Sequence, residues 1–188
     1  MKKLKFVFLF LIIPAFCKTA EQDFCFSGAI TAGYLFKIDD CVFKEVYGKG
    51  IANLITIDGC YYRWQPWGIG AKVSYLRTHG RTAFLRQKTT LQEIPITFYI
   101  RRIKDLDCGL QLYASLGAGV AILREKSYLG KAHFNAGIGE IEVGFNYSKC
   151  RCFGLTGALR YIFPSQKQCC TKLNVGGFDL RAGIEFQY

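Results

Sequence analysis

Along most of the chain, apolar and polar residues alternate with a period of two. The last stretch shows it plainly: Phe178, Leu180, Ala182, Ile184, Phe186 and Tyr188 fall on one parity, and Asp179, Arg181, Gly183, Glu185 and Gln187 on the other. Successive side chains of an extended strand point to opposite faces, so the pattern predicts a strand with one greasy and one charged face. It runs to the final residue. Chain ends fray unless they are paired or embedded, so this strand is expected to be held at its very end.

The same template finds seven earlier strands. In the first, Phe24, Phe26, Ile30, Ala32, Tyr34 and Phe36 alternate with Ser27, Thr31, Gly33 and Lys37; the second spans Ile51 to Tyr62, with the faces of Tyr61 and Tyr62 undecided. After a turn at Pro66, the third sets Trp67, Ile69, Ala71, Val73 and Tyr75 against Gly68, Gly70, Lys72 and Ser74. The fourth sets Ile94, Ile96, Phe98 and Ile100 against Glu93, Thr97 and Arg101, and the fifth sets alternate residues Leu110 to Val120 against Gln111, Tyr113, Ser115, Gly117 and Gly119. Ile141, Val143, Phe145 and Tyr147 mark the sixth, and Phe153, Leu155, Leu159, Tyr161 and Phe163 the seventh. Pro95 opposes the fourth assignment, since proline removes a ladder hydrogen bond; it fits best near a strand start or at a bulge. Links at 37–50, 77–90, 124–133 and 164–172 are long and polar, whereas those at 63–66, 102–109 and 148–152 are shorter. That alternation describes an up-and-down meander with long loops at one end.

Residues 1–20 read as a secretory signal peptide, with Lys2, Lys3 and Lys5 before an apolar run from Phe6 to Phe16 and small residues up to Ala20. No later run approaches the roughly 20 apolar residues of a spanning helix. Residues 21–188 form one domain, and losing the four leader lysines lowers the net charge from +11 to +7. Abundant Phe, Tyr and Gly suit strands and turns.

Alternation alone leaves open which face points outward. Lys72, Glu93, Glu140, Glu142, Arg160, Asp179, Arg181 and Glu185, with the glycines, can fill the narrow interior of an eight-stranded barrel as an ion-pair network. The bulky face then points out. An apolar belt around a whole barrel is an aggregation hazard in water and a requirement in lipid. Tyr34, Trp67, Tyr75, Tyr147, Tyr161 and Tyr188, near strand ends, suit the aromatic girdles of the two interfaces. The expected fold is all-β: an eight-stranded antiparallel up-and-down transmembrane β-barrel.

The ending Phe186-Gln187-Tyr188 resembles the C-terminal signal by which outer-membrane barrels are recognised. Segments such as "GIGAKVSYL", "LQEIPITFYI" and "LYASLGAGVA" resemble strands of the small eight-stranded bacterial outer-membrane family, OmpA/OmpX/OmpW-like, over essentially all of residues 21–188. The resemblance implies the outer membrane of a Gram-negative envelope, lipid and lipopolysaccharide as surroundings, and the barrel assembly machinery reading Phe186 and Tyr188.

Fold does not give function. The leading expectation is a non-catalytic barrel with a structural or adhesive envelope role. A narrow channel or small hydrophobic-ligand conduit is the alternative, and a lipid-A-modifying barrel enzyme comes further behind, because His79 and His133 are the only histidines and no serine stands at an arguable spacing. In "RTHGRTAFLRQK", Arg77, His79, Arg81, Arg86 and Lys88 concentrate positive charge in a predicted external segment, able to attract anionic glycans or lipopolysaccharide phosphates. No cofactor, metal or nucleic-acid partner is expected. Cys25, Cys41, Cys60, Cys108, Cys150, Cys152, Cys169 and Cys170 would meet an oxidising compartment, so disulfides are the default. The meander puts Cys41, Cys169 and Cys170 outside and the other five at or near the opposite strand ends. Both sets are odd, which points to cross-linking with itself or with other cysteine-rich envelope proteins.

Overall fold

A computed structural model describes residues 25–37, 46–47, 50–64, 66–81, 87–106, 109–128, 130–150, 153–164 and 176–188. Eight strands follow one another: β1 (Cys25–Lys37), β2 (Ile51–Trp64), β3 (Trp67–Arg81), β4 (Lys88–Asp105), β5 (Leu110–Ser127), β6 (Gly130–Cys150), β7 (Phe153–Pro164) and β8 (Gly177–Gln187). Each pairs antiparallel with its neighbours in sequence, and β1 pairs with β8 to close the barrel. The closing seam runs from Lys37 opposite Gly177 to Ser27 opposite Gln187. Beyond it, Phe26 and Tyr188 exchange two backbone hydrogen bonds of 2.9 Å, so the chain is paired to its last residue. Glycine permits the close approach at this seam: a Cβ on Gly183 would lie 2.0 Å from the Ile30 carbonyl oxygen.

The alternation resolves as expected in the middle of the strands. Phe98, Leu116 and Leu180 point outward and are 70%, 62% and 58% exposed, part of an apolar belt around the wall. All six proposed girdle aromatics lie on the exposed face. Tyr62 faces the lumen, and Tyr61 the outside. Pro95 is neither at a strand start nor at a bulge. It sits inside β4, facing inward, where the ladder to β3 is interrupted between the pairs Val73–Ile96 and Leu76–Glu93 with no change of register. Toward β5 the ladder is continuous through Pro95 opposite Ala121.

Two expected loops prove to be strand. Residues 77–81 and 88–90 extend the β3–β4 hairpin, and 124–127 with 130–133 extend β5–β6. Strands β3 to β6 therefore have 15, 18, 18 and 21 residues, against 12, 11, 13 and 14 for β7, β8, β1 and β2. One wall stands taller at the loop end. Its extra residues still alternate, which is why they stay paired as strand. The expected signal peptide, the 37–50 link apart from Lys37, Val46, Tyr47 and Gly50, and the 164–172 link beyond Pro164 lie outside the described residues.

Candidate functional site

The lumen is filled in three layers. Nearest the short turns, Cys60, Tyr62, Tyr99, Ile103, Tyr113 and Ala158 form an apolar and aromatic cluster. Arg101 stacks between two of its rings, 4.7 Å from the Tyr99 centroid and 4.2 Å from that of Tyr113. Above it lies the charged layer. Lys72 Nζ donates to Glu140 Oε1 at 2.8 Å and to Glu142 Oε2 at 2.5 Å, and Arg181 donates to Glu142 as well. Arg160 bridges Glu140 at 3.1 Å and Asp179 at 2.5 Å. Arg101 reaches Asp58 at 2.6 Å and Glu142 at 3.4 Å, and Tyr99 donates to Asp58. Glu185 accepts from Asn146 at 2.9 Å and from Gln187 at 3.1 Å.

The third layer, at the loop end, is apolar. Leu35, Leu54, Leu76, Leu91, Leu123, Ile138 and Ile162 are almost fully buried, and Tyr47, on a helical turn after β1, packs on them and donates to Glu125 at 3.3 Å. Glu93 is the register partner of Leu76 and Leu123, so it enters this layer rather than the network below. Lys37 matches it with a 2.8 Å ion pair, both side chains fully buried.

All eight predicted interior ions thus face the lumen. Lys72, Glu140, Glu142, Arg160, Asp179 and Arg181 form one network, while Glu93 and Glu185 have separate partners. Arg101, Asp58 and Lys37 complete the set without having been predicted as members, although Arg101 and Lys37 lay on the polar parity of their strands. Among the described residues, five cations face six anions in the buried interior, the Lys37–Glu93 pair included, so the interior as a whole is close to neutral and held by mutual pairing. The leucine layer was missed because the alternation blurs there: some strands are apolar on both parities, as in Tyr34-Leu35-Phe36 and Leu54-Ile55, and in others the polar parity switches to the outside, as in Leu76-Arg77 and Leu123-Arg124.

The tall wall carries a second feature on its outer face. Reading across β3, β4, β5 and β6 in register, Arg77 opposes Gln92, Gln92 opposes Arg124, and Arg124 opposes His133. One step toward the loops, His79, Thr90, Lys126 and Lys131 form the next row, and Arg81 opposite Lys88 begins a third. Neighbouring strands lie about 4.8 Å apart and alternate residues about 6.8 Å apart along a strand. Six Lys and Arg side chains and both histidines therefore share a face roughly 15 Å wide. A concavity of about 840 Å³ lies on it.

Arg77, His79, Arg81 and Lys88 were predicted as part of a loop, and they stand instead on paired strands, exposed. Arg86 lies outside the described residues. Arg124, Lys126, Lys131 and His133 were missed as partners because they come from the next hairpin, about 45 residues on, and only cross-strand register brings them alongside. His79 Nδ1 lies 3.0 Å from Thr90 Oγ1 on the exposed surface. No group of three or more His, Cys, Asp or Glu able to hold a metal occurs among the described residues.

Cys60 departs from its expected role. It is a free thiol, 1% exposed, packed inside the lumen. The position is on the inward parity of β2 four residues before its end, where no other chain can reach it. Cys25 and Cys150 belong to β1 and β6; Cys41, Cys108, Cys152, Cys169 and Cys170 lie outside the described residues.

No protein-family model and no curated protein matches the sequence. Solved structures do match the fold. Neisserial surface protein A superposes with a TM-score of 0.62 at 15% identity, over 89% of this chain and 98% of that one. The fold is that of the small outer-membrane barrels. OprG of Pseudomonas aeruginosa matches at a TM-score of 0.57 and 13% identity, over 88% of this chain and 95% of that one. Ail, the attachment invasion locus protein of Yersinia pestis, solved in complex with the heparin analogue sucrose octasulfate, matches at 0.53 and 14%, over 87% of this chain and 99% of that one. This outer-membrane barrel fold, with its continuous lipid-facing belt, agrees with the sequence expectation for all eight strands.

Proposed function

We propose that the protein is a non-catalytic barrel of the outer membrane, closed to diffusion, whose tall wall stands outside the cell and binds polyanions: sulfated or phosphorylated glycans, including lipopolysaccharide phosphates. The observation that carries this reading is the pair of cross-strand rows that join Arg77, Arg124, Lys126 and Lys131 on one face. Neighbouring cations on a rigid sheet repel one another in the free protein, and an anionic polymer relieves that repulsion at several points at once. The sulfated ligand of the similarly folded Ail supports the same class.

The sealed lumen favours this reading over a channel. An ion crossing it would have to displace a paired charged layer and then a leucine layer, and each desolvation is costly. Planar-bilayer recordings are expected to show no steady conductance. Among the described residues, His79 has Thr90 as its side-chain hydrogen-bond partner. The remaining elements of the proposal are the assembly machinery reading Phe186 and Tyr188, and disulfide cross-linking through cysteines other than Cys60. Non-reducing electrophoresis of envelopes, thiols blocked at lysis, is expected to give a ladder that reduction collapses; monomer in both lanes would remove the cross-linking element.

The direct test of the binding function is a heparin-like polymer titrated onto the folded barrel. Arg77→Gln, Arg124→Gln and Lys126→Gln together are expected to weaken binding about tenfold, since each exposed charge pair contributes on the order of 0.2–1 kcal/mol. Unchanged affinity in the triple variant would refute polyanion binding by this face.

A further inference from the structure

Both histidines of the chain stand in the two cation rows, His133 at the end of the first and His79 at the start of the second. Resting on the polyanion reading above, we infer that these two imidazoles make the outer face a pH-tuned binding surface, whose affinity for a sulfated polyanion rises as the medium becomes mildly acidic. Of the ten outward positions in these rows, two carry the only two histidines of the chain. Nor is either needed for packing, since both side chains are exposed.

The surroundings give the direction of the effect. His79 is flanked on β3 by Arg77 and Arg81 and across β4 by Thr90, with Lys88 on the diagonal and Lys126 one strand further. Pairing of β2 with β3 extends only to Leu54 opposite Leu76, so no β2 residue is paired with His79. Behind the strand, Val46 and Tyr47 lie against the neighbouring Gly80. His133 faces Arg124 on β5, with Lys131 beside it and Lys126 on the diagonal; β7 joins β6 only from Ile138 onward. The carboxylate at this level, Glu125, lies on the inward parity of β5 and accepts from Thr89 and Tyr47 at 3.3 Å each, while remaining partly exposed at the edge of the concavity. It is outnumbered there by Arg77, Lys88, Arg124, Lys126 and Lys131, so among the described residues the charges around each imidazole are predominantly positive.

Protonating a histidine inside such a cluster adds to its repulsion, and a bound anion cancels that cost. The ligand therefore favours the protonated ring. By linkage, the protonated ring favours the ligand by the same factor. Histidine changes charge between pH 5 and 8, the range in which Lys and Arg stay charged. At an exposed site one added charge strengthens binding about two- to fivefold, so two give roughly tenfold. A phosphomonoester loses charge over the same range, its second ionisation lying near pH 6, so for that ligand class the two titrations oppose each other. A sulfate ester keeps its charge, and the discrimination between the two shifts toward sulfate as pH falls.

The experiment uses the full barrel in detergent or nanodiscs, with dextran sulfate as probe, at fixed low salt. Wild type is expected to bind about tenfold tighter at pH 5.5 than at pH 7.5, and the combined His79→Gln and His133→Gln variant to lose most of that ratio, with either single variant between. Gel mobility before and after boiling verifies that each variant is folded. A wild type whose affinity is flat with pH, or a double variant that keeps the full ratio, overturns the inference. The Arg77→Gln, Arg124→Gln and Lys126→Gln variant at pH 7.5 separates the two proposals. If it binds as wild type does, the polyanion reading itself fails; if it binds weakly while wild type is flat with pH, only the histidine inference does.

Discussion

Within the same four strands, the membrane-embedded half and the outer half of the tall wall obey opposite rules. On β5, Leu116 and Val120 point out while Ser115 points in; further along the strand, Arg124 and Lys126 point out and Leu123 points in. β3 does the same, with Val73 out and Lys72 in, then Arg77 out and Leu76 in. The backbone register does not change at the crossover. What changes is the solvent. Lipid surrounds the lower half, so apolar groups belong outside and charges must pair in the lumen; water surrounds the upper half, which therefore has the ordinary inside of a soluble barrel. The residues at which the alternation inverts, Tyr75 to Arg77 and Ile122 to Arg124, mark the membrane interface at the loop end.

Breaking the lower half should have the larger effect. Glu142 is shared by Lys72, Arg101 and Arg181, and Glu142→Ala leaves three buried cations short of a carboxylate. Stripping one partner from a buried ionic cluster costs about 3–5 kcal/mol. Urea unfolding of the detergent-folded barrel should register that loss as a clearly lowered midpoint. In the upper half, Arg124→Ala removes a charge that is exposed and costs well under 1 kcal/mol. A loss of equal size in both variants would mean that the interior layer is as well solvated as the surface.

An arginine scan down the outer face of β5 sharpens the boundary itself. Leu116→Arg puts a cation near the bilayer midplane and is expected to cost about 2–4 kcal/mol, whereas Ile122→Arg, beside Arg124, should cost about 0–1 kcal/mol. Folding into liposomes, followed by denaturant titration, measures both. Equal penalties would place the interface elsewhere on the strand.

The inversion also explains what the sequence made legible. Where lipid and lumen impose unlike faces, the alternation is sharp, and strands, facing and interior charges could be assigned residue by residue; Lys72, Arg160 and Asp179 are examples. Just above, Leu35, Leu54 and Leu123 have apolar neighbours on at least one side, and the signal fades although the strand continues. Higher still the alternation returns with reversed sense, and a polar outward face reads as loop, which is how 77–81 and 124–127 came to be expected as connections. The basic face was half legible for a different reason. Arg77 to Lys88 are close in sequence, whereas Arg124 and His133 join them only through the pairing of β4 with β5 and β5 with β6, a non-local fact that no window along the chain contains.

Pro95 tests the comparison on its smallest scale, one residue at the top of the embedded half. Its ring removes the amide that would pair with β3, and the ladder is interrupted there while the β5 side stays intact. In Pro95→Ala that donor returns, worth about 0.5–1.5 kcal/mol net. Against this, alanine frees the unfolded chain, at a cost of about 0.4–1 kcal/mol. The two nearly cancel, so stability should change by less than about 1 kcal/mol. The informative readout is hydrogen exchange at the new amide of residue 95. Slow exchange, comparable to that of Ile96, means the restored donor bonds to β3 and the proline alone interrupts the ladder; fast exchange means that the β3–β4 pair is splayed at Ser74 and Tyr75 for another reason, with the crossover from lipid to water the first place to look.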